Sequence, residues 1–240
     1  MNARLALLLA LFAGLAAPLS AQPLVAELGR GRVEITTAFT GDSVLVFGAF
    51  DPPGDVVVVA RGQPRPAVVR RKVNVAGIWI NGPSARFASL PNFYAVGGTR
   101  PVWEVMEPNE RRGATVGLDT VSMLSRGSQD PSFRDALIRI RDTQGLYNGR
   151  IVVDVIGGRL FRAQVPIPAL IEPGAYLIDV MLVREGRIMA RQELALAVVR
   201  TGFAAEVNRV AHQQPAFYGL ACILIAAFAG WAGAILFRRS

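Results

Sequence analysis

The chain has 240 residues, 52% of them hydrophobic, a formal net charge of +8, one histidine and one cysteine. A lone His and a lone Cys exclude a zinc or other transition-metal centre, which takes several such ligands, and any intrachain disulfide. Two terminal segments account for the apolar excess, and the stretch between them is long enough for one or two domains with cores of their own.

Arg4 opens a short basic region, Leu5 to Ala17 is an uncharged apolar run, and Pro18-Leu19-Ser20-Ala21 precedes Gln22. A basic start, an apolar core and a small residue before a cut describe a secretory signal, so residues 1–21 are expected to be a signal peptide cleaved after Ala21. Leu19 is larger than the residue usually found three positions before a cut. The run is shorter than the ~20 residues of a spanning helix, which argues against an uncleaved anchor.

The first half of the exported part reads as strands. Val33, Ile35, Thr37 and Phe39 alternate with polar neighbours, and Gly41-Asp42 turns the chain into Val44 to Phe50. Asp51-Pro52-Pro53-Gly54 is a turn, and Asp55 to Ala60 is a β-branched run of the kind found in buried strands. Val68 to Ile80 reads as one long strand or a bent pair, closed by Asn81-Gly82-Pro83-Ser84, and Pro91-Asn92 leads into Phe93 to Val96. Residues 108–128 are polar and aperiodic, a loop or a domain junction. Asp130 then caps a helix that starts at Pro131, with Phe133, Ala136, Leu137 and Ile140 on one face and Gly145 beyond its end.

The last third is β again. Ile151 to Ile156 and Leu160 to Val165 flank Gly157-Gly158, in a loop of two residues or more. Pro173-Gly174 and Glu185-Gly186 are turns around Tyr176 to Val183, and Ile188 to Val199 runs towards a polar tether, residues 206–214. Strands and turns at roughly ten-residue spacing predict a mainly β protein of one or two immunoglobulin-like β-sandwiches with one short amphipathic helix, over residues 22–205. Residues 215–237 carry no charge and would rise about 35 Å as a helix, which predicts a single C-terminal transmembrane helix. Arg238 and Arg239 then favour a cytoplasmic tail at 238–240, with the bulk of the chain in the periplasm. On that helix Ala226 and Gly230, and Ala229 and Gly233, are spaced four apart as a small-residue packing face.

In this frame Phe39-Thr40-Gly41-Asp42, Val69-Arg70-Arg71-Lys72, Gly77-Ile78-Trp79-Ile80-Asn81, Pro91-Asn92-Phe93-Tyr94-Ala95-Val96 and Tyr218-Gly219-Leu220 occur in order over nearly the whole chain. They resemble the putative transmembrane protein family of alphaproteobacteria. The resemblance implies a bacterial inner-membrane protein facing the periplasm, and it points to a sulfite-exporter-like permease as partner.

No catalytic motif survives a test of its chemistry. Gly41-Asp42-Ser43-Val44-Leu45 is similar to the Gly-Asp-Ser-Leu block of lipases and esterases, but that serine needs a histidine base held by a carboxylate. His212, the only histidine, lies in the tether. Asp51 and Asp55 flank a turn that accounts for both, and no glycine-rich phosphate loop joins a strand to a helix. No cofactor is therefore expected, and no nucleic-acid partner. The charges of most interest are Arg70, Arg71 and Lys72. On a strand Arg70, Lys72 and Asn74 share one face, and Arg71 falls on the other, apolar face, where it either needs a partner or a bound anion or snorkels to solvent at a sheet edge beside a solvated outer face. Together with Trp79 and Tyr94 they form the candidate face for a partner or an anion. The expected function is a non-enzymatic, membrane-anchored periplasmic accessory or assembly protein for another integral inner-membrane protein, in contact with membrane lipid. The alternative is a periplasmic binding module for a small anion.

Overall fold

The computed structural model describes residues 22–123, 130–147, 149–202 and 215–237. The expected signal peptide (1–21), the tether with His212, and the tail (238–240) lie outside the described residues, as does the end of the 108–128 stretch. The described chain runs through β1 (Leu24–Leu28), β2 (Arg32–Ile35), β3 (Gly41–Phe50), β4 (Asp55–Arg61), β5 (Pro64–Val75), β6 (Ile78–Pro91) and β7 (Tyr94–Gly98). Helices α1 (Val102–Val105), α2 (Pro108–Gly113), α3 (Leu118–Met123) and α4 (Pro131–Thr143) follow. Strands β8 (Gly149–Arg150), β9 (Val152–Ile156), β10 (Leu160–Pro168), β11 (Gly174–Arg184) and β12 (Arg187–Arg200) then precede helix α5 (Pro215–Phe237).

The strands build one sandwich. Its first sheet has the order β1-β3-β10-β9 and its second β2-β12-β11-β4-β7-β8. Alternation places the residues: Val44 and Val46 of β3 point inward while Leu45 and Phe47 point out, and β10 buries Phe161, Ala163 and Val165 in the same way. At one end the Tyr176 hydroxyl donates to the Glu172 carbonyl at 2.6 Å, the corner contact of immunoglobulin-like sandwiches.

At its centre the second sheet is covered on both faces, and this explains the unbroken Val56-Val57-Val58-Val59-Ala60 run. Val56, Val58 and Ala60 enter the sandwich core, while Val57 and Val59 enter a second core on the opposite side. That second core is roofed by Val102, Val105 and Met106, by Val116 and Val121, by Phe133 and Leu137 of α4, and by the base of the β5–β6 hairpin through Val69, Ala85, Phe87 and Leu90. The molecule is thus one sandwich with a third layer. Residues 108–123 are short helices that complete this layer, where sequence alone shows a polar, aperiodic stretch. Helix α4 forms as expected, with the Asp130 side chain accepting from the Ser132 N–H at 2.9 Å.

Of one long strand or a bent pair, the structure has a pair, a hairpin over residues 64–91, and it does not close at Asn81–Ser84. It turns at Ala76-Gly77, both left-handed (φ 53° and 87°), in the same two-residue form that joins β11 to β12 at Glu185-Gly186. Asn81 to Ser84 lie inside β6. Ala76 gave no sign of this, because alanine rarely takes positive φ.

The expected C-terminal transmembrane helix needs correction. A helix does form over Pro215–Phe237, but among the described residues no helix is long and apolar enough to cross a membrane.

Asp179 ties the layers together. It sits on β11 at 1% exposure, facing the second core beside Met181. Arg61 of β4 pairs with one of its carboxylate oxygens. Arg191 of β12 gives two hydrogen bonds to the other, at 3.1 and 2.9 Å. The Arg61 guanidinium also donates to the Ala114 and Thr115 carbonyls between α2 and α3. Asp179→Ala is therefore expected to lower stability by about 3 kcal/mol in denaturant titration, because it strands a mostly buried Arg61. The double variant Asp179→Leu/Arg61→Met should lose less than either single change; a strictly additive double mutant would refute this account of the pair.

Candidate functional site

Among the described residues, two surfaces and a cleft stand out as open to partners. The first surface is the arm formed by β5 and β6. Its base is packed in the second core, and its outer part projects. The register opposes Lys72 to Asn81, Val73 to Ile80, Asn74 to Trp79 and Val75 to Ile78. Opposed residues share a face, so Lys72, Asn74, Trp79 and Asn81 form one side of the tip and Val73, Val75, Ile78 and Ile80 the other. Val75, Ile78, Trp79 and Ile80 are all largely exposed, Ile78 at 67% and Trp79 at 66%. The Gly77 N–H donates to the Asn74 side chain at 2.9 Å, which closes the turn at the tip.

The three consecutive cations do not act together. A β-bulge between Arg70 and Lys72 rotates Arg71 out of register. Arg71 donates to Ser132 Oγ at 2.6 Å, lies 3.7 Å from the Asp130 carboxylate and sits 5.0 Å above the Phe133 ring. Arg71 is therefore not buried, as an apolar face would require, but half exposed against the N-terminus of α4, and the contact acts as a strut that fixes the arm. Arg70 and Lys72 stay exposed, with no ion pair among the described residues.

Tyr94 stands apart from this face. It is fully buried in the second core, where its hydroxyl donates to the Thr115 carbonyl at 3.0 Å and accepts from the Gly117 N–H at 2.7 Å. Phe93, its neighbour, points into the sandwich and meets the Tyr176 ring edge-on at 6.0 Å. Burial pushes the Tyr94 phenol up to about 12 and does the same for Tyr147. Ala226, Ala229 and Gly230 lie exposed on α5, and Gly233 is on the same helix.

The second surface was not legible as a site. On the outer face of the first sheet Val25, Ala49, Leu160 and Ile156 are opposed in turn across β1, β3, β10 and β9. The next row is Glu27, Phe47, Arg162 and Asp154, and beyond it Leu45 and Val152 flank Gln164. Six large apolar side chains (Val25, Leu45, Phe47, Val152, Ile156 and Leu160) are between 41% and 58% exposed here. Arg162 and Asp154 form an ion pair at 3.1 Å within the patch. The sequence signal was an apolar residue at outward positions of β3, where a solvated sheet face alternates to polar.

A cleft of about 720 Å³ opens beside β7 and β8, walled by Gly97, Gly98, Trp103, Arg111, Tyr147 and Arg150. Arg111 is held 3.3 Å from Asp119. None of these residues belongs to a motif that sequence reading could single out.

Residues 23–239 match the family described as Putative transmembrane protein (Alph_Pro_TM). No curated protein matches the chain.

The raised phenols give a test of the second core. Below pH 10 Tyr94 is neutral in both folded and unfolded chains and adds no pH dependence. Between pH 10 and about 12 only the unfolded chain ionises, so stability falls as pH rises. Tyr94→Phe should flatten that alkaline fall while costing about 1–2 kcal/mol at neutral pH, since it leaves the Gly117 N–H and Thr115 carbonyl unpaired. Denaturant titrations across the pH series measure both effects; Tyr147 keeps its own share of the fall, and an unchanged alkaline slope would mean that Tyr94 does not contribute to it.

Proposed function

The chain belongs to the family described as Putative transmembrane protein, and on that premise we propose that it is a non-enzymatic, membrane-associated accessory or assembly protein. Its sandwich lies on the periplasmic side of a bacterial inner membrane, and it acts by contact on another integral-membrane protein. The observation that carries this reading is the apolar outer face of the first sheet. Six large exposed side chains in adjoining rows form a contiguous patch, and such patches mark interaction sites. Glu27 and the Arg162–Asp154 pair set polar groups among them, in the manner of a protein interface. The partner class is a permease of the sulfite-exporter type, the class to which the family resemblance points.

A photo-crosslinking residue placed at Phe47 in the full-length protein, in its native membrane, tests the reading. One integral-membrane partner, a permease of that class, is the expected product. Leu160→Asp should cut its yield at least tenfold, given ~2 kcal/mol or more for burial of a leucine at an interface centre. Trp103→Ala, in the cleft, should leave the yield unchanged. Crosslinks no richer than those from a site on the opposite side of the molecule would refute the assignment.

A further inference from the structure

Between residues 22 and 214 the chain holds 23 basic and 18 acidic residues. Five of the basic residues (Arg65, Arg70, Arg71, Lys72 and Arg86) and none of the acidic ones lie in the arm, residues 64–91. The remainder is balanced at 18 of each. The net positive charge of this part of the protein therefore resides entirely in one projecting hairpin. Coding preference for arginine does not explain that segregation, because it raises basic content everywhere and removes no acids.

The tip has the complementary property. Past the Arg71 strut each strand extends about 15 Å, and it ends in Val75, Ile78, Trp79 and Ile80, the largest of which are about two-thirds exposed. The cations sit nearer the body of the arm: Arg70 and Lys72 are exposed, Arg86 is exposed on β6, and Arg65 is at the base. Apolar and indole side chains at the leading end, with the exposed cations Lys72 three and Arg70 five residues before Val75, match the layering of a bilayer surface. Trp favours the headgroup level, Ile and Val the acyl boundary, and Arg and Lys the anionic phosphates. The Arg71 contacts with Ser132, Asp130 and Phe133 hold the arm in place before any lipid is met, so little ordering entropy opposes docking.

We propose that the β5–β6 arm is a lipid-docking element whose tip, Val75, Ile78, Trp79 and Ile80, enters the surface of an anionic bilayer while Arg70 and Lys72 bind headgroup phosphates. This contact is independent of the partner face on the first sheet, and of how the rest of the chain meets the membrane.

The chain has three tryptophans, Trp79, Trp103 and Trp231, so Trp103→Phe/Trp231→Phe leaves the arm tip as the sole indole. The full-length variant is reconstituted into nanodiscs of brominated phosphatidylcholine, with and without phosphatidylglycerol. The expected result is that Trp79 emission is blue-shifted and quenched at least twofold when phosphatidylglycerol is present, and that added salt reverses the quenching. Arg70→Gln and Lys72→Gln should each lower the ratio of docked to free arm about fivefold. Quenching that is absent, or that ignores both anionic lipid and the two substitutions, would overturn the proposal. Because both side chains are exposed and without ion pairs, the folded state survives their replacement, and the salt series on the unsubstituted cations gives a second readout.

Discussion

The structure turns on a sheet whose central strands have no outer face. Strands β4 and β11 are buried on both sides, so every polar group on them must be satisfied inside the protein. Asp179 is the extreme case: a carboxylate at 1% exposure survives there because Arg61 and Arg191 reach it from the strands on either side. Arg61 passes the constraint outward. Its bonds to the Ala114 and Thr115 carbonyls, and the Tyr94 hydroxyl between Thr115 and Gly117, place the loop between α2 and α3 on the sheet. The third layer is thus held by a few buried polar contacts as well as by its apolar residues.

The surfaces available for function follow from that layer. Because the far side of the second sheet is occupied over β4 and the middle of β11, the broad apolar sheet face left open among the described residues is the outer face of the first sheet, and it is there that Leu45, Phe47 and Leu160 are exposed. The β5–β6 hairpin belongs to the third layer only at its base. Its two strands pair with each other and with no other strand, so beyond Val69 and Ala85 it leaves the body of the protein. A two-stranded ribbon has little stability alone, and the bulge that turns Arg71 towards α4 supplies the support that a third strand would give. The same bulge separates Arg71 from Arg70 and Lys72, leaving these two free for an external charge.

Local chemistry made much of the fold readable before the structure. The alternation in β3 and β10, the turns at Asp51–Gly54, Pro173-Gly174 and Glu185-Gly186, and the Asp130-Pro131 helix start all appear where residue types require them. Residues 102–123 were opaque because their helices are one or two turns long, too short to show a 3.6-residue period. The hairpin turn at Ala76-Gly77 was hidden because alanine replaces the Asn or Gly usual at its first position. Of the candidate face, Arg70, Lys72, Asn74 and Trp79 do share the arm. Tyr94 was misplaced with them because a Phe-Tyr pair on a strand looks the same whether its faces meet solvent or two cores.

Sequence alone determined the β-rich architecture, the strand-by-strand alternation and the family to which the chain belongs, because each rests on near neighbours or on ordered motif blocks. The tertiary structure decided which strands lie between two layers, where the 22–214 charge excess is gathered in space, and what satisfies Arg71 and Asp179. These are contacts between residues far apart in the chain, such as Arg71 with Ser132 and Arg61 with Asp179. Their partners are set by the way the layers stack, and no local pattern of residue types encodes that stacking.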